Sequence, residues 1–142
     1  MNLIIDAGNT QVKLAVFNKT NILYTEAVSY INLVKTAQNL YTKWQCSNAI
    51  ISSVKNINRV EIDKLKAKFN IILLNNKTQL PFKISYNTPE TLGVDRVALA
   101  AAAYKKYPNQ NVLVIDAGTC ITYDFITNEG VYEGGSISPG VQ

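Results

Sequence analysis

Residues 5–10 read IDAGNT, and residues 115–119 read IDAGT. Each follows an apolar run, Leu3-Ile4-Ile5 in the first case and Val112-Leu113-Val114 in the second. A carboxylate at the end of an apolar run, then small and short polar residues, reads as strand, turn, strand. A single copy would be an ordinary hairpin. Two copies in matching context point to an internal duplication in which Asp6 and Asp116 occupy equivalent places.

Working outward, residues 2–6 and 11–17 read as strands joined by the AGNT turn, with a third strand at 21–28. Residues 31–44 carry Leu33, Ala37, Leu40, Tyr41 and Trp44 on one helical stripe. A short apolar strand follows at 49–54. Asn58 and Glu61 form a capping pair for a helix running through Phe69, and Ile71 to Leu74 reads as a buried strand. Thr88-Pro89-Glu90 supplies a cap, a first-turn proline and an early acid, so a helix is expected to start there and run to Tyr107. After Asn111 the pattern restarts with strands at 112–116, 120–126 and near 131–137. The expected division is a first domain at 1–110 and the opening strands of a second, incomplete one at 111–142. Three strands with no helix to cover them lead us to expect a piece of a longer protein.

The composition narrows the chemistry. The chain has 142 residues, 47% hydrophobic and 17% charged, which is ordinary for a soluble globular protein. A net charge of +4 suits an anionic small substrate; the basic residues are scattered apart from a cluster of Lys64, Lys66 and Lys68, with Lys55 and Arg59 nearby, which reads as solvated surface rather than a phosphate track. There is no histidine, which removes Ser-His-Asp and Cys-His nucleophile systems and most zinc sites. A general base at neutral pH must then be a carboxylate, lysine, tyrosine or thiolate. Cys46 and Cys120 lack metal or redox spacing and read as reduced thiols. With no signal-like or membrane-length apolar segment, a cytoplasmic protein without membrane contact is expected.

Hairpins of this kind suit phosphate. Gly8 and Gly118 let the backbone turn and approach a ligand, turn amides favour anions, and Asn9, Thr10 and Thr119 add donors. The aspartates fit if each holds a cation bridging to phosphate oxygens. Two such hairpins facing each other would clamp a polyphosphate. Neither GxxxxGK[ST] nor GxGxxG occurs. Two further stretches stand out. In YNTPETLGVDR (86–96), Asp95 reads either as a general base with Arg96 holding an anion, or as a helix-start acid with Arg96 solvated. GGSISPG (134–140) reads as a second phosphate-side loop or as a turn permitting close approach of domains.

Together, DAGNTQVK (6–13), YNTPETLGVDR (86–96), DAGTCITYDF (116–125) and GGSISPG (134–140) resemble type III pantothenate kinase, a family of the acetate and sugar kinase, Hsp70 and actin superfamily. The resemblance covers essentially the whole chain. It implies an α/β fold of duplicated RNase H-like (actin-like ATPase) domains, the second truncated here, with ATP between them. It implies ATP-dependent phosphorylation of pantothenate to 4'-phosphopantothenate, the first step of coenzyme A biosynthesis. Carried onto this sequence, Asp6, Ala7, Gly8, Asn9, Thr10, Gln11, Val12 and Lys13 would form the first ATP phosphate hairpin, with Asp6 near Mg2+. Thr119 would contact ATP, and Asp116 would ligate a monovalent cation, K+ or NH4+. Asp95 would be the catalytic base. Tyr86, Gly93, Val94, Asp95 and Arg96 would hold pantothenate. The family's homodimeric state implies a homodimer here, with the pantothenate site at the dimer interface. Alternatives are another actin-like-fold phosphotransferase or phosphatase, or a non-catalytic transcription accessory protein.

Overall fold

The computed structural model describes residues 1–86 and 88–140. The chain forms two compact units, Met1–Asn75 and Asn76–Gln142.

The first unit opens with three antiparallel strands, β1 (Asn2–Ala7), β2 (Val12–Asn18) and β3 (Asn21–Val28). Alternation fixes their faces: Leu3, Ile5, Ala7, Val12, Leu14 and Val16 are buried, while Ile4, Asp6 and Ala15 between them stay partly open. Helix α1 (Leu33–Trp44) buries Leu33, Ala37 and Leu40 on the predicted stripe and stops at Gln45, whose φ of 52° puts it in the left-handed region. The helix carries the chain back so that β4 (Asn48–Ser53) can lie parallel to β1. Asn58 caps α2 (Arg59–Lys66) by accepting from the Val60 amide at 2.9 Å, and β5 (Asn70–Leu73) then pairs parallel with β4. The sheet order is β3-β2-β1-β4-β5. Ile62, Leu65 and Phe69 join α1 in one core against the sheet.

Two expectations shift here. Helix α2 ends at Lys66, although Phe69 is buried as its stripe requires. Strand β5 is an edge strand rather than a buried one, with Ile72 55% exposed, because it pairs on one side only and the described helices of this unit cover one face.

The second unit contains β6 (Lys83–Ile84), α3 (Val94–Lys106), β7 (Val112–Ala117), β8 (Cys120–Ile126) and β9 (Val131–Pro139). Its sheet order is β6-β9-β8-β7, with β6 parallel to β9. The chain restarts here: β7 and β8 form a hairpin like β1 and β2, with Asp116 the penultimate residue of its strand as Asp6 is of β1. Within this unit α3 packs against β7 and β8. Val97 and Ala100 share a core with Phe82, Leu92, Ile126 and Tyr132.

The helix expected from Thr88 is also split. Pro89–Thr91 makes one 3-10 turn, closed by the Thr91 amide donating to the Thr88 carbonyl at 3.0 Å, and α3 begins only at Val94. Gly93 is extended (φ −59°, ψ 132°) and serves as N-cap, so the preceding turn cannot continue into the helix. Asn87 of this stretch lies outside the described residues. GGSISPG is not a loop: residues 134–139 are paired strand in β9. Among the described residues, no helix is long and apolar enough to cross a membrane.

Candidate active site

The first hairpin places its residues on two sides of the sheet. Ala7 and Val12 are fully buried in the core of the first unit. Asp6 lies directly across from Lys13 on one strand neighbour and from Ser52 on the other, so all three share the face opposite the core. This register fixes the direction of Lys13. Asn9, Thr10 and Gln11 are exposed at the tip.

The turn itself differs from the expectation built on its glycine. Neither Gly8 nor Gly118 has positive φ, and a Cβ on either would meet nothing closer than 3.5 Å or 3.8 Å. The fold therefore does not require glycine at these positions. The Gly8 amide closes the hairpin onto the Gln11 carbonyl at 3.1 Å, and the Gly118 amide closes the second onto Cys120 at 2.9 Å. Those amides are engaged. The Asn9, Thr10 and Gln11 amides donate to no described residue.

Behind the tip sit two residues that sequence reasoning passed over. The Tyr30 hydroxyl donates to the Gly8 carbonyl at 2.6 Å, and the Lys55 ammonium donates to the Asn9 carbonyl. Lys55 is exposed, as expected, yet 46 positions separate it from the carbonyl it holds, and no local signal marks that contact. Burial raises the Tyr30 phenol above its usual range; the neighbouring Ser53 side chain works the other way, and the Asp6 charge adds to the rise.

In the second unit, YNTPETLGVDR and GGSISPG meet. Arg96 is not solvated: it is 7% exposed, with Nε at 2.8 Å and Nη2 at 2.7 Å from Asp124 Oδ1. The fully buried Tyr132 also donates its hydroxyl to this oxygen. Burial works against the Arg96 charge, but the Asp124 carboxylate more than offsets it and raises the Arg96 pKa. Burial and then the Asp124 carboxylate push the Tyr132 phenol well up.

The paired glycines explain themselves in the same place. Gly134, at a bulge with φ of 110°, leaves room for the Tyr86 ring, which a Cβ would approach to 2.8 Å. A Cβ on Gly135 would fall 1.6 Å from the Tyr123 carbonyl oxygen and 3.0 Å from Arg96 Nη2. Gly140 abuts the second hairpin, donating to the Thr119 carbonyl at 3.1 Å.

Asp95 is half-buried in the first turn of α3, where its Oδ1 accepts from the Arg96 amide at 2.8 Å. The Arg96 guanidinium points instead to Asp124, so Asp95 is adjacent to a cation that does not neutralise it. Asp116 and Thr119 are exposed at the β7–β8 turn. Among the described residues no three His, Cys, Asp or Glu side chains come together to hold a metal. A cation at Asp6 or Asp116 would complete its shell with water, backbone or substrate oxygens.

A five-stranded mixed sheet in the order 3-2-1-4-5, opening with an acid-tipped hairpin that a second sheet repeats, defines the RNase H-like, actin-like ATPase class. Solved structures agree on the fold. A conserved Campylobacter jejuni protein assigned to the Baf family of transcriptional activators superposes with a TM-score of 0.56 at 24% identity, over 98% of this chain and 55% of that one. The Aquifex aeolicus member of the Ppx/GppA family superposes with a TM-score of 0.50 at 14% identity, over 97% of this chain and 50% of that one. Within the class, residues 2–142 match the family model for type III pantothenate kinase, and the chain belongs to that family. A type III pantothenate kinase from Christiangramia forsetii is 45% identical over the whole chain, and one from Bacteroides fragilis is 42% identical over 99% of it. The chain spans 59% and 58% of the lengths of these two relatives.

Proposed function

We propose that the full-length protein transfers the γ-phosphoryl group of ATP to the primary hydroxyl of pantothenate, giving 4'-phosphopantothenate at the first step of coenzyme A biosynthesis. The observation that carries this reading is Asp95. It is a half-buried carboxylate held at a helix start, beside an arginine whose charge is already engaged elsewhere. A carboxylate so placed is available to accept the acceptor's hydroxyl proton. Phosphoryl transfer asks for little else beyond positioning and charge neutralisation. Tyr86 and Gly93 to Arg96 would hold pantothenate, with Arg96 pre-oriented by Asp124.

The first hairpin would take the ATP phosphates. Asn9 and Thr10 offer amides and side chains, Lys13 adds positive charge, and Asp6 would hold Mg2+ against the phosphate oxygens. Thr119 would contact ATP, and Asp116 would hold K+ or NH4+. A homodimer and the cytoplasm complete the reading by family resemblance; light scattering on the full-length protein tests the former.

The glycine geometry gives a test of the phosphate hairpin. Because the fold leaves room for a methyl group, Gly8→Ala is expected to leave the unfolding midpoint within a degree or two, or raise it slightly. Its Cβ would intrude only on a ligand, so the same variant is expected to weaken ATP binding by about tenfold or more, measured by calorimetry. Unchanged ATP affinity would show that phosphate does not sit against Gly8. An acceptor panel separates the kinase from a phosphatase of the same fold: a phosphatase would release inorganic phosphate without any acceptor.

A further inference from the structure

We propose that Tyr30 and Lys55 are positioning residues that turn the Asn9 and Thr10 amides outward, toward a bound phosphate. The inference rests on reading the first hairpin as the phosphate loop. A trans peptide unit is planar, with its carbonyl and its N–H pointing in opposite directions. None of the described peptide bonds is cis. The Gly8 carbonyl is held by the Tyr30 hydroxyl, which fixes the direction of the Asn9 N–H on the far side of the same unit. The Asn9 carbonyl is held by the Lys55 ammonium, which fixes the Thr10 N–H in the same way. Two successive peptide units are thus drawn back by their oxygens, and their hydrogens are presented to the front.

The anchors are themselves tied down. The Val54 amide donates to the Ala7 carbonyl at 3.1 Å, joining the segment that carries Lys55 to the end of β1. The Ser53 hydroxyl donates to the Lys55 carbonyl at 2.6 Å. The Lys55 ammonium lies 5.4 Å from the centroid of the Tyr30 ring, so each anchor also steadies the other. An anion site works best when its donors need no reorganisation on binding, and these contacts supply that without touching the ligand. The arrangement stands in for the lysine and helix start of the commoner phosphate loops, by holding carbonyls where those contact phosphate directly.

The test uses the full-length protein with Tyr30→Phe, Lys55→Met and the double variant. Each single change is expected to raise KM for ATP by about 3- to 10-fold, with KM for pantothenate and the unfolding midpoint unchanged. Tyr30→Phe removes one hydroxyl and no charge, so its effect cannot come from long-range attraction of ATP. Lys55→Arg, which keeps a donor, is expected to recover most of the loss. In amide NMR spectra, a non-hydrolysable ATP analogue should shift Asn9 and Thr10 more than their neighbours, and the double variant should reduce that difference. If both single variants leave KM for ATP unmoved while Gly8→Ala raises it, the positioning role is wrong and the phosphate hairpin stands. If Gly8→Ala also leaves it unmoved, the hairpin reading fails and takes this proposal with it. Equal rises in KM for both substrates would indicate general distortion and overturn it as well.

Discussion

Asp95→Asn in the full-length protein is expected to lower kcat by about 10²- to 10⁴-fold, the range for losing a positioned general base. Both KM values should stay close to those of the parent. The substitution is clean because Asn retains a side-chain oxygen to accept from the Arg96 amide, the one hydrogen bond that the Asp95 carboxylate makes to a described residue. The helix start is therefore preserved, and only the proton acceptor is lost. A variant retaining full kcat would remove Asp95 from the chemistry. The bland reading of the sequence, an acid placed to favour the helix dipole, predicts that outcome together with a small loss of stability.

Asp124→Ala is expected to have the largest effect on stability. Removing one member of a buried ion pair leaves an uncompensated charge, and such changes cost about 3–5 kcal/mol. Asp124 is fully buried and Arg96 is 7% exposed, so water cannot take over the lost role without opening the unit. Tyr132 loses its acceptor at the same time. Hydrogen exchange is the suitable measurement: amides of β8, β9 and the start of α3 should lose protection, while those of β1 and β2 keep theirs. Intrinsic fluorescence would mislead, because the chain's single tryptophan, Trp44, belongs to the first unit. Unchanged exchange across β8 and β9 would mean that the Arg96–Asp124 pair is not what secures the helix start to the sheet.

What could be read from sequence was whatever repeats at short range. The stripe of Leu33, Ala37 and Leu40 and the alternation of β1 and β2 each need only a few neighbouring residues to be seen. The paired IDAG signature gave the two hairpins for the same reason. The rest depends on contacts between distant positions. Arg96 meets Asp124 across 28 positions, and Lys55 meets Asn9 across 46, so neither partner carried a local mark. The glycines of GGSISPG looked like a loop because composition reports small residues without saying what they make room for. In place, Gly134 and Gly135 accommodate Tyr86 and Arg96 inside a paired strand. Strand β6 has two residues, too few for any periodicity. The helix start moved from Thr88 to Val94 because Thr88-Pro89-Glu90 is a sound cap for one turn, and Gly93 then supplies another. The turn freedom expected of Gly8 has a different outcome. Its freedom of φ is unused, so its smallness matters only if something approaches from outside the chain.

The most direct test of the account is a product assay on the full-length protein supplied with ATP, Mg2+, K+ and pantothenate. The expected result is 4'-phosphopantothenate in the mass spectrum, formed in equal amount with ADP and lost with Asp95→Asn. Absence of the phosphorylated product under these conditions, from folded protein, would contradict the assignment of pantothenate as acceptor and of this site as its kinase.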